Sequence, residues 1–137
     1  MARVIETYRG FVYPWTIDHV GHMNVASYTA RFDEASWHFL AHLGLTPTYF
    51  HENSRALVAL DQRTRYELEV LAGSLLDVST ELVEIGRKTL RFKHLMRSSE
   101  SGAPVANMDL LVVMIDTKLR KSVALPSFVS ERAKALV

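Results

Sequence analysis

One stretch of this 137-residue chain carries an apolar repeat of helical period, and most of the chain beyond it alternates like β-strand. From Val25 to Leu43, the residues Tyr28, Phe32, Ala35, Phe39 and Leu43 recur at steps of three or four, which makes one apolar stripe of a helix. Asn24 is placed to cap that helix through its amide oxygen, and Gly44 suits the position just past its end. Before it, Val4 to Tyr13 reads as a strand that Pro14 ends. After it, a short helical turn follows Pro47 up to Asn53. Then Ala56–Val70, Leu75–Ile85, Thr89–Arg97, Val105–Asp116 and Ser122–Leu125 are rich in β-formers. The breaks between them fall at Ala72-Gly73-Ser74, Gly86-Arg87-Lys88, residues 98–104 and residues 117–121, all turn-type sequences. Ser127 to Val137 reads as a short helix or a frayed tail. A sheet has to cover its apolar face, and a nineteen-residue helix, roughly 28 Å long, can do so by lying across it. The expectation is an α+β fold in which a five-stranded antiparallel sheet and one long helix share a single domain over residues 1–137.

Composition removes several function classes. Sixteen Lys and Arg against fifteen Asp and Glu leave a net charge of +1, so no basic nucleic-acid surface is indicated. There is no Cys, which excludes disulfides, thiolate nucleophiles and Cys-based zinc sites. The longest apolar run, Leu110 to Ile115, has six residues, whereas a membrane helix needs about twenty. No targeting segment is visible, and the expected location is the cytoplasm. His19, His22, His38 and His42 invite a metal reading, and the last two share a helix face, but no His-Glu-x-x-His pattern is present; no metal or other cofactor is expected.

The loop before the helix is the most informative segment. It places Asp18, His19, His22 and Asn24 within seven residues, ahead of a helix N-terminus. A helix N-terminus presents unpaired N–H donors and a partial positive charge, which together can stabilise an oxyanion formed at a carbonyl. A carboxylate beside it can attack that carbonyl or activate water. The combination suits acyl transfer.

The run Trp15-x-x-Asp18-x-x-Gly21-His22-x-Asn24-x-x-x-Tyr28, continuing to Phe32-Asp33-Glu34-Ala35, resembles the hotdog-fold acyl-CoA thioesterases of the 4-hydroxybenzoyl-CoA thioesterase type. Arg65-Tyr66 with Gly73, and then Gly86-Arg87 before a strand, match further landmarks of that family in order. The resemblance implies a sheet wrapped around the helix, paired subunits with sites between them, and hydrolysis of an acyl-CoA ester. It implies Asp18 as the catalytic carboxylate and the backbone amide of Val25 as the oxyanion donor. Thr16 stands where a second Asp often precedes the catalytic one, and Glu69 and Ser74 stand where a Pro and an Asp often follow the Arg-Tyr pair. A homodimer or homotetramer is expected, with acyl-CoA as the partner molecule and neither nucleic acid nor membrane.

Each of these residues also has a plainer reading. Asp18 can be a turn residue; His22 either polarises or orients the thioester or hydrogen-bonds the loop, and Asn24 either contacts the substrate or caps the helix. Arg87 and Lys88 either meet the phosphates of coenzyme A or form an ordinary basic hairpin tip. Glu34 on the helix is the reserve carboxylate. Asp61 shares strand parity with Leu57 and Ala59, so it either faces the pocket or pairs with Arg63 or Arg65 at a strand edge. Two alternatives to hydrolysis stand beside it. One is a non-catalytic acyl-CoA or acyl-carrier binding module; the other is a hotdog acyl-CoA hydratase, whose Gly-Asp-x-Asn-Pro-x-His context is missing here.

Overall fold

The computed structural model describes residues 4–136. The order of elements is β1 (Val4–Phe11), a 3-10 turn (Pro14–Thr16), α1 (Val25–His42), α2 (Pro47–Asn53), β2 (Arg55–Tyr66), β3 (Leu75–Ile85), β4 (Thr89–Ser98), β5 (Pro104–Asp116), β6 (Lys121–Ser122) and α3 (Ser127–Lys134). The expected terminal helix is therefore α3, and Val137 lies outside the described residues. The five long strands pair antiparallel in the order β1-β3-β4-β5-β2, with the two-residue β6 added to β5.

α1 forms where its stripe predicts, because both ends are chemically fixed. The side chain of Asn24 accepts from the Ser27 amide, capping the start. At the other end Gly44 takes φ +83, the Gly44 amide donates to the Ala41 carbonyl and the Leu45 amide to the Leu40 carbonyl, a Schellman closure. A side chain at Gly44 would be strained by that φ and would also press on Phe128.

The curled sheet offers one face to α1. Leu76, Val78 and Thr80 of β3, Leu90, Phe92, His94 and Met96 of β4, and Met108, Leu110 and Met114 of β5 are buried there against Phe32, Ala35, Phe39 and Leu40 of the helix. The rings of Phe39 and Phe92 lie 5.0 Å apart at the centre of one half of this core. Burying each such ring contributes about 2–3 kcal/mol. The opposite face of the sheet carries the charged parity, Arg91, Lys93 and Arg97 on β4 among them.

Two features bear on the site. The register of β2 against β5 shifts between Ala59 and Asp61, a bulge that reverses parity along the strand. Ala59 pairs with Val112, whereas Asp61 pairs with Leu111. Leu57 and Ala59 therefore share the inner face while Asp61 is turned off it, and Gln62, opposite the buried Leu110, takes the inward position. The second feature is that β2 is the last strand of the order, so one of its edges is unpaired in this chain.

Candidate active site

The loop between β1 and α1 is held by its backbone. Ile17 and Met23 form a bridge, the Asp18 amide donates to the His22 carbonyl at 3.1 Å, and the Gly21 amide donates to the Asp18 carbonyl at 3.0 Å. Gly21 closes this turn with φ +89, a conformation that favours glycine. The Asn24 amide donates to Thr16, and the Met23 amide donates to the Val70 carbonyl at 2.7 Å, tying the loop to the segment after β2. Met23 itself is buried in the core.

Within that frame, Asp18 is half-buried. Its Oδ1 accepts from the Val20 amide at 2.9 Å, while Oδ2 has no partner among the described residues. The turn reading and the catalytic reading of Asp18 are thus compatible: one oxygen shapes the loop and the other is free. Val25 is the first residue of α1. Its N–H is one of those a helix start leaves unpaired, and the Asn24 cap satisfies the Ser27 amide instead. The bridge folds residues 18–22 into one compact turn, and α1 starts two residues after the bridge.

A cleft of about 250 Å³ opens beside this helix start, lined by His22, Val25, Tyr28, Tyr66, Glu67 and Glu69, with Met23 and Leu68 completing it. Tyr28 and Tyr66 meet edge to face with ring centres 5.0 Å apart. The Tyr28 hydroxyl donates to the Leu68 carbonyl at 3.4 Å. Burial pushes the Tyr28 phenol up, with smaller contributions in the same direction from Tyr66 and Glu69. Of these residues, sequence reading assigned a role in the site to His22 and Val25 alone; Tyr66, Glu67 and Glu69 come in through the turn after β2, which no local pattern reveals.

Other expected site residues lie elsewhere. Arg87 and Lys88 form the turn between β3 and β4. The Lys88 ammonium donates to Ser122 Oγ at 2.9 Å, and the Arg87 carbonyl accepts from the Leu125 amide. The loop that carries Asp18 follows Phe11, which pairs with Leu75 at the far end of β3. The eleven residues of β3 separate the two by about 33 Å along the strand. The expectation that this turn lies beside the mouth of the pocket is therefore not met within one chain. Glu34 is exposed on α1 and lines neither this cleft nor the neighbouring cavity at Asp33, and Asp61 is exposed on the bulged edge strand. Among the described residues, no cluster of three or more His, Asp or Glu side chains is arranged to hold a metal.

A second polar cluster lies inside the core. Ser36 Oγ is 2.8 Å from His94 Nε2, Thr80 Oγ1 is 2.6 Å from His94 Nδ1, and Thr7 Oγ1 is 2.8 Å from Thr80 Oγ1. Ser36 donates to the Phe32 carbonyl at 3.0 Å, and Thr7 Oγ1 is 3.2 Å from the Val78 carbonyl. With the Ser36 proton directed at Phe32, a neutral His94 donates from Nε2 to Ser36 and accepts at Nδ1 from Thr80, and the single Thr7 proton serves either Thr80 or the Val78 carbonyl. Burial lowers the His94 pKa from 6.5 to about 4. Ser36 also borders a cavity of about 370 Å³ with Asp33 and Gln62. Its proton and a lone pair are already engaged, so this Ser–His pair is a structural brace between α1 and the sheet rather than a nucleophile.

Comparison with known proteins agrees with this architecture. The Thioesterase-like superfamily matches residues 12–133. A betainyl-CoA thioesterase of Pseudomonas aeruginosa is 27% identical over 136 residues, covering 99% of this chain and 86% of that protein. An L-carnitine dehydrogenase/betainyl-CoA thioesterase of Agrobacterium fabrum is 31% identical over 110 residues, covering 80% of this chain but 22% of that longer protein. Among solved structures, a Staphylococcus aureus protein in complex with CoA superposes with a TM-score of 0.90 at 20% identity, covering 99% of this chain and 85% of that chain.

Proposed function

The chain belongs to the thioesterase-like superfamily, with the hotdog fold, and from that premise we propose that it hydrolyses an acyl-CoA thioester to a free acid and coenzyme A. The observation that carries this reading is an unpaired helix-start N–H at Val25 bordering an open cleft, with a carboxylate that keeps one free oxygen, Asp18, in the loop just before that helix. The relatives named for betainyl-CoA support a CoA ester as substrate.

The thioester carbonyl oxygen accepts from the Val25 amide, where the helix dipole favours developing negative charge. Asp18 then acts in one of two ways. As a general base it takes a proton from water while the water oxygen bonds to the carbonyl carbon. As a nucleophile it bonds to that carbon itself and gives an anhydride that water opens. In either case the C–S bond breaks and the sulfur of coenzyme A leaves as the thiolate and is protonated. Asn24 holds the helix start in place, and His22 borders the cleft where the ester lies.

A second copy of the chain belongs to the proposal, as a dimer or a dimer of dimers. The free edge of β2 exposes Val58, Leu60 and Tyr66, and an unpaired edge of this kind invites pairing. Antiparallel pairing of two β2 edges sets the Arg55 end of one strand beside the Tyr66 end of the other. That brings the Arg87-Lys88 turn of one copy to the side of the sheet that holds the other copy's loop, where its charge can meet the phosphates of coenzyme A. No helix among the described residues is long and apolar enough to cross a membrane.

A thiol-release assay across a panel of CoA esters, run beside light scattering, tests both parts. Hydrolysis of at least one ester by a species of twice 15.5 kDa or more is expected. Tight binding of esters without thiol release would contradict the enzyme reading, and an active monomer would contradict the paired one.

A further inference from the structure

A column of three aromatic rings stands on the surface just ahead of the Asp18 loop. Phe11 and Tyr13 meet edge to face with ring centres 4.8 Å apart. Tyr13 and Trp15 then lie parallel, at 5°, with centres 4.5 Å apart. Trp15 ends the column. It is 77% exposed, more than any other large apolar side chain among the described residues, and Tyr13 is its one ring contact there. One face of the indole is therefore backed and the other is open. The backbone beneath it is fixed. Trp15 lies in the 3-10 turn, where the Thr16 amide donates to the Tyr13 carbonyl at 3.2 Å and the Ile17 amide donates to the Pro14 carbonyl at 3.1 Å. The Thr16 carbonyl accepts from the Asn24 amide at 2.9 Å, which sets this turn directly beside the start of α1.

The geometry points to the open face of Trp15 as the platform on which the adenine base of coenzyme A stacks. This rests on the acyl-CoA reading and deepens it, because it gives the nucleotide end of the substrate a site. An ordered ring with water on one face loses little freedom when a second flat ring covers it, and the parallel Tyr13 ring fixes its tilt. Adenine is the flat aromatic group that every CoA ester carries, whatever its acyl group. A base on Trp15 and a thioester carbonyl at Val25 are both held at one loop, so the bound molecule is bent and its phosphates lie at the bend. There the charge of the other copy's Arg87-Lys88 turn can act on the phosphates while stacking acts on the base. The same platform separates two kinds of thioester. A CoA ester has a base to stack, whereas the phosphopantetheine ester of an acyl carrier has none and gains nothing from Trp15.

The test compares two thioesters of one acyl group, the CoA ester and the 4′-phosphopantetheine ester, which lacks the adenosine. Trp15→Leu should raise KM for the CoA ester about tenfold with kcat nearly unchanged, and should leave both constants for the phosphopantetheine ester where they were. Trp15→Phe, which keeps a flat ring, should retain most of the affinity. A second readout needs no turnover. In a Trp37→Phe background Trp15 is the one remaining tryptophan; coenzyme A should quench its fluorescence to saturation, and pantetheine 4′-phosphate should not. Equal KM losses on both esters in Trp15→Leu would overturn the assignment, as would the absence of quenching by coenzyme A. Equal losses that come with a lower mass in light scattering would assign the ring to a contact between copies instead. Saturable quenching with no hydrolysis of any ester would end the hydrolase reading and keep the platform. Hydrolysis with neither quenching nor a KM shift would end the platform and keep the hydrolase.

Discussion

The Asp18–Val25 loop and the Thr7–Thr80–His94–Ser36 chain are built from similar side chains and put them to opposite uses. Both combine histidine with small polar residues, and both touch α1. In the core chain each hydroxyl and ring nitrogen has a partner, and no buried side-chain polar atom among the described residues lacks one. In the loop, the second oxygen of Asp18 and the Val25 amide have none. A satisfied network gives rigidity and has no capacity left for a reaction. Groups at the surface can remain unpaired at little cost to stability, because water serves them until a substrate arrives. A short hydrogen bond to a histidine, such as the one Ser36 makes, is therefore a poor marker of catalysis in this fold, and an unsatisfied pair beside a cleft is a better one.

Changes in the loop should affect turnover and leave stability alone, and changes in the core chain should do the reverse. The largest expected effect in this series is on the Val25 amide. Val25→Pro removes that N–H and nothing else that α1 needs: Pro is favoured at the first helical position, and Asn24 at φ −73 and ψ 158 already has the extended conformation that a following Pro requires. Thiol release should fall by about 10²-fold, while Val25→Ala, which keeps the N–H, should retain most of it. A Pro variant as active as the Ala variant would remove the amide from the mechanism.

Next in size is the acid response of the core. In the folded protein His94 titrates at about 4, against 6.5 when unfolded. Between those values the unfolded chain binds a proton that the native state refuses, so stability falls as the pH drops from 6.5 to 4. The whole difference amounts to about 3 kcal/mol. Urea midpoints at pH 7.5 and pH 4.5 measure it, and equal midpoints would mean that His94 is not held neutral. A smaller loss, about 1–3 kcal/mol, is expected for Ser36→Ala, which leaves the buried His94 Nε2–H without an acceptor; kcat should change little. Smallest is Asn24→Ala at the cap, about 1 kcal/mol in the same urea experiment. Asn24 lies where the two regions meet, and a much larger loss would mean that the loop braces the fold as the core chain does.

The helix was the most legible part of the chain. Its stripe, cap and closing glycine all lie within a short window of sequence, and α1 ends one residue before the reading has it. The loop was legible for the same reason. The shared parity of Asp61 with Leu57 and Ala59 does not hold, because parity counting assumes an unbroken ladder and the bulge after Ala59 breaks it; of the two readings of Asp61, the one facing the pocket is the one lost. Arg87 and Lys88 fall in the expected turn, but within one chain that turn lies at the end of β3 away from the Asp18 loop, since local patterns say nothing about strand order. His94 looked like one more residue in an alternating strand. Its partners Thr80 and Ser36 lie 14 and 58 residues away in sequence, and Thr7 reaches Thr80 across 73, separations at which no periodicity survives. The contact between Tyr28 and Tyr66 in the cleft escaped notice likewise, since the two rings meet only after β2 is placed.

The proposed chemistry stands most directly on Asp18. Purified Asp18→Asn, measured for thiol release on the best ester and for its urea midpoint beside the parent chain, should lose about a hundredfold or more in kcat while unfolding at the same denaturant concentration. Turnover near that of the parent would contradict that chemistry, remove Asp18 from it and turn attention to Glu34.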